Sequence, residues 1–463
     1  LLSAALTAFL SVSAQEQPVD YVNPFVGTTN YGTTNPGAVL PQGMMSATPF
    51  NVMGSDLNKY DKDKQWWSTP YDVTNKYLTG FSHVNLSGVG CPDMGSLLLM
   101  PTTGELNVNY RQYGSEYTDE EATPGYYKNK LSKYNIQCEM TATLHTSRAR
   151  FTFPAGQSNI LLNLGEGLTN ESGASMRFVN DCEIEGSKLL GTFCYNPQAV
   201  FPIYFVMRIH KTPEKRGYWK MQRPMQGPEA EWDADAGKYK LYTNYGRVMS
   251  GDDIGAWFTF DTQANETLEV SIGVSFVSIE NARLNLETEQ PVGTTFDKLR
   301  ADARAKWNDD LSRILVEGGT KEQKGVFYTA LYHAMIHPNL LQDVNGQYPM
   351  MESDSILTTT HNRYTVFSLW DTYRNVHQLM TLVYPERQMD MIRTMMGMYQ
   401  EHGWFPKWEL YGRETLTMEG DPSIPVIVDS WMKGLRDFDI NLAYEGMYKS
   451  ATTPGKDNLM RPD

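Results

Sequence analysis

The sequence predicts an N-terminal antiparallel β-sandwich followed by an all-α domain built of helical hairpins. Its 463 residues exceed what a single hydrophobic core usually organises. From about residue 20 to residue 285, apolar side chains recur at every second position, as in strands with one buried face. From residue 295 to residue 463 they recur at helical spacing. We therefore predict a sandwich domain over 20–285 and a helical domain over 295–463.

Two segments of the first domain show the strand period most clearly. Their alternating apolar positions are 136, 138, 140, 142 and 144 in one segment and 268, 270, 272, 274 and 276 in the other. Turn residues separate many such runs, and this arrangement is typical of a large β-sandwich.

The second domain reads as a series of helices joined by loops that carry polar and aromatic residues. The predicted helices cover residues 296–315, 321–338, 366–384 and 385–402, with a further helix that opens at 421–422 and stops at Gly434. The third of these would place Val366, Leu369 and Tyr373 on one face, because helix neighbours recur three or four residues apart.

Composition and charge limit the possible partners. The chain is 41% hydrophobic, 12% aromatic and 20% charged, as expected of a folded globular protein. Its formal net charge of −14 argues against nucleic acid or an anionic membrane surface as a partner, since both attract basic proteins. A neutral substrate is compatible with this charge.

The first 14 residues predict the remainder of a secretory signal peptide. An apolar run ends in Val12-Ser13-Ala14 and turns polar at Gln15. The run is too short to span a membrane, and no other segment is apolar for long enough. We expect an exported protein, periplasmic or extracellular. We also expect that the sequence starts inside the signal peptide and that the helical domain continues beyond Asp463, because an open row of helices exposes apolar surface.

The four cysteines show no C-x-x-C spacing, so a zinc site built on them is not indicated. Cys182 with Cys194 could close a hairpin-sized disulfide in an oxidising compartment. Free buried thiols are the alternative.

Common catalytic motifs are absent from the sequence. There is no phosphate-binding loop and no G-x-S-x-G. His333 and His337 have the spacing of zinc ligands, but Ala334 stands where a metalloprotease needs glutamate. His83 lies in a glycine-rich stretch and has a structural, hydrogen-bonded alternative.

What remains is carboxylates beside aromatic rings, the combination that a sugar site needs. One cluster is Trp370-Asp371, and the other lies in residues 403–423. Each has a structural alternative. Ser368 and Asp371 have capping-box spacing, and Asp421 precedes a proline at a helix start. Glu414 and Glu419 could be solvated loop charges. The residues alone favour an exported carbohydrate-active protein.

Five motifs occur in order and together resemble glycoside hydrolase family 92, the exported exo-acting α-mannosidases. They are VNPFVGTTNYGTTNPGAVLPQGMMSATP, GFSHVNLSGVGCPDMGSLLLMP, FSLWDTYRNVHQLMTLVYPE, GWFPKWELYGRETLTMEGDPS and VIVDSWMKG. The resemblance runs from about Asp20 to the last residue.

This resemblance implies a β-sandwich packed on an (α/α)6 toroid, incomplete in this chain, with the active site in the cleft between them. It implies a mannose-containing glycan as substrate and calcium-dependent, inverting hydrolysis, most readily of α-1,2 linkages. Trp370 and Asp371 match the motif at the sugar site. Asp421, Phe81 and His83 match motifs near the same cleft.

The family's general acid and base belong to E-G-N and G-N-D-D motifs, neither of which occurs in the sequence. We therefore expect both beyond Asp463, assign no catalytic residue or calcium ligand to this chain, and expect it to be inactive alone. A non-catalytic mannan-binding protein is one alternative. Another is a different sandwich-plus-toroid glycosidase or phosphorylase, with a catalytic glutamate among Glu409, Glu414 and Glu419.

Overall fold

The computed structural model describes residues 16–29, 32–59, 62, 67–169, 172–197, 199–222 and 238–453. The predicted signal-peptide remnant, residues 1–14, lies outside the described residues. The described chain forms a β-sandwich of two large antiparallel sheets followed by a helical region, which confirms the predicted fold class.

In chain order the strands are β1 (Ala38–Val39), β2 (Ser46–Phe50), β3 (Tyr77–Leu78), β4 (Gly80–Asn85), β5 (Met94–Thr103), β6 (Ser115–Thr123), β7 (Tyr126–Leu131), β8 (Ile136–Ala142), β9 (Thr146–Phe153), β10 (Gly156–Asn163), β11 (Ser172–Asn180), β12 (Glu183–Gly191), β13 (Val200–Ile209), β14 (Lys215–Gln222), β15 (Lys238–Thr243), β16 (Met249–Gly251), β17 (Ile254–Thr262), β18 (Glu266–Ser275), β19 (Asn339–Leu340), β20 (Gln347–Pro349), β21 (Ile356–Thr358), β22 (Tyr364–Thr365), β23 (Glu409–Leu410) and β24 (Arg413–Glu414).

The helices are α1 (Tyr110–Tyr113), α2 (Ile279–Glu289), α3 (Phe296–Leu311), α4 (Lys321–His333), α5 (Leu369–Thr372), α6 (Val376–Val383), α7 (Pro385–His402), α8 (Ser423–Met432) and α9 (Ile440–Thr452), with short 3-10 helices at Pro18–Tyr21 and Phe193–Tyr195. Within the described chain, no helix is both long enough and apolar enough to cross a membrane.

Two sheets form the sandwich. One has the strand order β1-β2-β4-β5-β10-β17-β14-β15, and the other has the order β16-β11-β12-β13-β18-β9-β8-β7-β6-β3. The alternating apolar residues predicted for β8 and β18 are buried in the core between the sheets, as the period-two pattern requires, except Leu144, which follows β8 and packs partly buried against the helical core. The hydrophobic pattern therefore located both strands and their buried faces correctly.

Helix α2 joins the sandwich to the helical region and packs on β18 through a glycine. A Cβ atom at Gly273 would stand 2.6 Å from the carbonyl oxygen of Ala282 and 2.8 Å from Cβ of Leu286. Only a residue without a side chain allows this approach, so the helix backbone rests directly on the strand.

The single helix predicted over 366–384 is wrong. The structure breaks it into α5 and α6, with non-helical backbone at Asn375 and a left-handed φ of 61° at Val366. The predicted apolar stripe is therefore interrupted: Val366 belongs to the sandwich core, whereas Leu369 and Met380 belong to the helical core. Long-range packing overrides the helical period here.

The suggested Cys182–Cys194 disulfide is also wrong. The disulfide joins Cys91 to Cys194, with Cα atoms 5.4 Å apart, and Cys138 and Cys182 are free. Cys182 and Cys194 flank opposite ends of β12, whose nine residues span roughly 30 Å when extended. The bond instead ties the loop before β5 to the loop after β12.

The sandwich and the helical region share their hydrophobic cores. The sandwich core contains Trp408, Leu410 and Tyr411 from the loop that follows α7. In return, Val19 and Val22 of the N-terminal segment are buried among the helices. Each core is thus completed by residues that are distant from it in sequence.

A buried ion pair lies where the two regions meet. Nδ1 of His145, in the β8–β9 turn, is 2.6 Å from Oε1 of Glu289 at the end of α2, and its Nε2 is 2.9 Å from the carbonyl oxygen of Gln342. Burial disfavours the charge of both side chains, but their mutual hydrogen bond outweighs it. The pKa of His145 is raised and the pKa of Glu289 is lowered.

We expect His145→Gln to lower the thermal midpoint most below about pH 6.5, and progressively less as the pH rises. The folded pKa of His145 lies above its ordinary value of 6.5, so the stabilisation is complete below 6.5 and is lost as the pH rises through the raised value. The contribution of Glu289 to stability persists below its ordinary pKa of 4.5, because its pKa in the folded protein is lowered. Scanning calorimetry between about pH 5 and pH 8.5 measures the difference.

His210→Gln is the matched control. Burial lowers the pKa of His210 to about 4, so its pH dependence should have the opposite sign. The same pH dependence in both variants would contradict a stabilising His145–Glu289 pair.

Candidate functional site

A buried carboxylate holds the backbone that leads to the Trp370-Asp371 pair. Glu409 is completely buried and accepts hydrogen bonds from Thr365 Oγ1 (2.7 Å), the Val366 amide (3.2 Å) and the Gly412 amide (2.8 Å). Thr365 Oγ1 in turn accepts from the amide of Tyr411 at 2.7 Å. These bonds fix the end of β22 against the loop that follows α7.

The backbone between β22 and α5 adopts conformations that side chains disfavour. Val366 and Ser368 have φ values of 61° and 43°, in the left-handed region. For a β-branched residue such a φ is a genuine outlier, and it persists only where surrounding contacts impose it. The bonds to Glu409 supply that constraint at Val366.

Asp371 is exposed and oriented by its neighbour. Ser368 Oγ donates to Asp371 Oδ2 at 2.6 Å, while no side-chain cap is formed at Ser368. The capping-box alternative is therefore not what the structure shows. The serine hydroxyl holds a carboxylate at the surface, leaving Oδ1 available to accept from a ligand.

Trp370 is half-buried beside Asp371 on the same short helix. The guanidinium of Arg374 lies 5.3 Å from the Trp370 ring centre and 4.9 Å from that of Tyr373, within the range of a cation–π contact. Trp370, Asp371 and Arg374 thus form an aromatic and charged surface on a fixed turn.

The second motif cluster is a loop whose glutamates have structural partners. Glu414 is buried and accepts from the amides of Lys407 (2.8 Å), Trp408 (2.9 Å) and Leu416 (3.2 Å). It is not the solvated loop charge considered from the sequence, whereas Glu419 is exposed. Neither Glu409 nor Glu414 reaches the surface, so the arrangement gives no support to either as a catalytic acid.

Asp421 lies next to this loop at the start of α8. It is partly exposed, its carbonyl oxygen accepts from the Ile424 amide at 3.1 Å, and the cap position of the helix is Pro422. Ser423 Oγ donates to the carbonyl oxygen of Pro406 at 2.5 Å and so attaches the helix to the loop. The role of Asp421 in sugar contact stays a prediction.

Phe81 and His83 lie on β4 and are completely buried. Phe81 packs against Tyr127 and Phe151 in the sandwich core, and His83 Nδ1 is 2.8 Å from the carbonyl oxygen of Leu97. Burial lowers the pKa of His83 to about 4. Their assignment to sugar contact stays a prediction, and their burial is the observation against it.

Polar groups of the first two motifs meet the helical region near β19. The amide of Ser87 donates to His337 Nε2 at 3.0 Å, and a cavity of about 10 Å³ lies between Asn35, Asn85, Ser87 and Asn339. That volume suits a single water molecule.

The sandwich supplies an acidic group, Asp93, near the loop that follows α7. Asp93 follows Cys91 of the Cys91–Cys194 disulfide by two residues and is completely buried. Burial raises the pKa of Asp93 to about 6. Burial likewise raises the pKa of Glu409 to about 7. Trp408 stacks on Phe193 at 4.4 Å, which brings the loop against this part of the sandwich.

The donor set of the described residues does not supply a calcium shell. Calcium takes six to eight oxygen ligands, usually including several carboxylates. Among the residues with described positions, no group of three or more His, Cys, Asp or Glu side chains could hold a metal ion. We therefore assign no calcium ligand.

Sequence reasoning singled out the Trp370-Asp371 pair but missed what holds it. Glu409, Glu414 and the Cys91–Cys194 bond are set by contacts between distant segments, and no local spacing marks them. The one usable signal was the position of Glu409, Glu414 and Cys91 inside the motif stretches, and Cys194 lies outside them.

Comparisons with known proteins identify relatives over most of the chain. Residues 21–275 match the sequence model of the glycosyl hydrolase family 92 N-terminal domain, and residues 281–462 match that of the family's catalytic domain. The chain is similar to a family GH92 α-mannosidase from Bacteroides thetaiotaomicron, solved in complex with mannoimidazole, at 31% identity and a TM-score of 0.83.

Two further relatives extend the comparison. A family GH92 inverting mannosidase from Bacteroides thetaiotaomicron shares the fold at 23% identity and a TM-score of 0.77. An uncharacterised secreted glycosidase from Arthroderma benhamiae is 28% identical over 457 residues. The alignments cover 96%, 95% and 93% of this chain but only 57%, 56% and 52% of the three relatives. The chain thus spans little more than half of their length.

We expect Glu409→Gln to lower the free energy of unfolding by about 1–3 kcal/mol, because the new amide group would face N–H and O–H donors that need an acceptor. Urea unfolding followed by tryptophan fluorescence measures the change. Glu419→Gln is the matched control at an exposed position and should change it by less than about 0.5 kcal/mol. Equal effects of the two variants would show that Glu409 does not hold the loop.

Proposed function

The chain belongs to glycosyl hydrolase family 92, and on that basis we propose that it provides the sugar-binding part of an exported glycoside hydrolase that removes terminal α-linked mannose. The observation that carries this proposal is the half-buried Trp370 beside the exposed Asp371 on a turn fixed by Glu409. The solved α-mannosidase relative with its bound mannoimidazole supports the substrate class.

The geometry suits recognition of a neutral sugar. An indole face can pack against the apolar face of a sugar ring, and a carboxylate accepts hydrogen bonds from its hydroxyl groups. Ser368 holds Asp371 in place at 2.6 Å, so less side-chain freedom is lost on binding. The negative net charge is compatible with an uncharged substrate.

We extend the proposal to α-1,2-linked mannose in N-glycans or mannan, and to inversion at the anomeric carbon. We also propose calcium dependence, in which the ion would organise sugar and water oxygens near the reacting bond. The secreted relative supports export, to the periplasm or the extracellular space.

Binding of methyl α-mannoside tests the proposed sugar contact. We expect Trp370→Ala to weaken it roughly tenfold, through loss of the aromatic contact. We expect Asp371→Asn to weaken it roughly tenfold to hundredfold, because bonds to a charged acceptor are the stronger ones. Isothermal titration calorimetry measures both.

Trp431→Ala and Asp302→Asn are the matched controls, at a surface of α8 and on α3, and should bind as the parent protein does. Unchanged binding in Trp370→Ala and Asp371→Asn would remove the pair from the sugar site.

We predict that residues 1–463 alone do not hydrolyse α-1,2-mannobiose, with or without added calcium, because the sequence lacks the E-G-N and G-N-D-D motifs. Mannose release is measured with a coupled enzymatic assay. Turnover would contradict this prediction and favour the alternative of a catalytic glutamate within the chain. The alternative of a non-catalytic mannan-binding protein also predicts binding without turnover. It differs from the proposed function because it needs no further catalytic segment.

A further inference from the structure

The Cys91–Cys194 disulfide attaches a connecting segment to a firmly paired strand of the sandwich. Cys91 stands just before β5, which pairs with β4 on one side and with β10 on the other. Cys194 lies in the short 3-10 helix between β12 and β13, outside any sheet. The bond therefore restrains a segment that has no sheet pairing of its own.

The segment around Cys194 has a backbone that needs restraint. Thr192 and Cys194 have φ values of 66° and 49°, in the left-handed region. Such conformations persist only where surrounding contacts impose them. The amide of Thr192 donates to the carbonyl oxygen of Ala199 at 2.9 Å and closes the base of the segment, while the disulfide holds its tip.

The same segment holds the loop that follows α7. The ring of Phe193 is buried and stacks on Trp408, with ring centres 4.4 Å apart. Nδ2 of Asn196 donates to the carbonyl oxygen of Thr415 at 3.0 Å, and Oγ1 of Thr415 donates to the carbonyl oxygen of Trp408 at 2.8 Å. Both contacts therefore converge on Trp408.

Trp408 is bonded in sequence to the carboxylate that fixes the turn carrying Trp370 and Asp371. Glu409 accepts from the amide of Val366 at 3.2 Å and so maintains the disfavoured left-handed backbone there. A displacement of Trp408 would move Glu409 away from this amide. The turn would then lose the contact that imposes its conformation.

The disulfide is within reach of small thiols. Cys91 and Cys194 are both partly exposed, as is the free Cys182, whereas the free Cys138 is buried. The bond can therefore be opened and closed by thiol exchange in the folded protein.

We propose that the Cys91–Cys194 disulfide is a positioning group for the turn that carries Trp370 and Asp371, so that sugar binding is complete only when these two thiols are oxidised. The inference rests on the proposed function for its ligand, a neutral mannoside. Disulfides form in exported proteins, so the site would reach its full affinity after export.

The redox step is a thiol–disulfide exchange. The thiols of Cys91 and Cys194 give up two electrons and two protons to an external disulfide, whose own sulfur–sulfur bond breaks. One new sulfur–sulfur bond forms in the protein, and the external disulfide leaves as two thiols. Dithiothreitol drives the reverse reaction and is itself oxidised to its cyclic disulfide.

The test compares the oxidised protein with the protein reduced by dithiothreitol, using amide hydrogen exchange and calorimetry. We expect reduction to speed exchange of residues 365–373 roughly threefold to thirtyfold, and to leave exchange in β8 unchanged over the first minutes. We expect the affinity for methyl α-mannoside to fall roughly threefold to tenfold. Reoxidation with oxidised glutathione should restore both.

Phe193→Leu tests the contact with the disulfide intact and should speed the same exchange, even if reduction unfolds the protein. Phe153→Leu is its matched control, because it shortens a buried ring on β9, and should leave residues 365–373 unchanged. Cys182→Ser should respond to reduction as the parent protein does.

The outcomes separate this inference from the proposed function. If the parent protein binds the sugar, and neither reduction nor Phe193→Leu changes exchange at 365–373, the positioning role is overturned and the proposed function stands. Equal acceleration in β8 and in residues 365–373 also overturns it, because the bond would then stabilise the whole sandwich. If exchange responds as expected but the oxidised protein binds no sugar, the positioning of the turn stands and the proposed function fails.

Discussion

The candidate site depends on one buried carboxylate, Glu409. Burying a charge is costly unless hydrogen bonds compensate for it, and three donors from two segments do so here. Those donors belong to the end of β22 and to the loop after α7, so the bonds that stabilise the buried Glu409 also join these two segments. Burial still raises the pKa of Glu409 to about 7, so the hydrogen bonds compensate only in part for the buried charge. Trp370 and Asp371 inherit their position from this carboxylate without touching it.

The sharing of cores explains why this loop can hold an unfavourable backbone. Tyr411 has a left-handed φ of 48°, yet its ring stacks on Phe276 at 4.0 Å inside the sandwich. Packing of this size outweighs the cost of one disfavoured residue. The sandwich core also extends into the turn that carries Trp370, because Val366 is buried in the same cluster as Tyr411.

The fold was predictable wherever a local pattern decides the structure. Alternation located β8 and β18, and proline and glycine marked the start of α7 and the stop at Gly434. Prediction failed where distant residues decide. The helix predicted over 366–384 does not begin at Val366, whose amide bonds to Glu409 43 residues away in sequence, and it is broken again at Asn375. Cys194 bonds to Cys91, 103 residues distant, rather than to a neighbour in sequence. The motif resemblance singled out Trp370 and Asp371 as candidates, but no spacing could reveal that Glu409 and Glu414 hold the surrounding loops.

The position of Val19 in the helical core has a consequence for how the chain is assembled during synthesis. This residue belongs to the same hydrophobic cluster as Tyr328 and Tyr332 of α4, which the ribosome adds about 300 residues later. A segment made before the sandwich strands is thus among the last to reach its native contacts. The predicted domain boundary lies between β18 and α3. A chain cut there would leave the core of each half without the residues that the other half supplies. The two regions are separate in architecture and a single unit in folding.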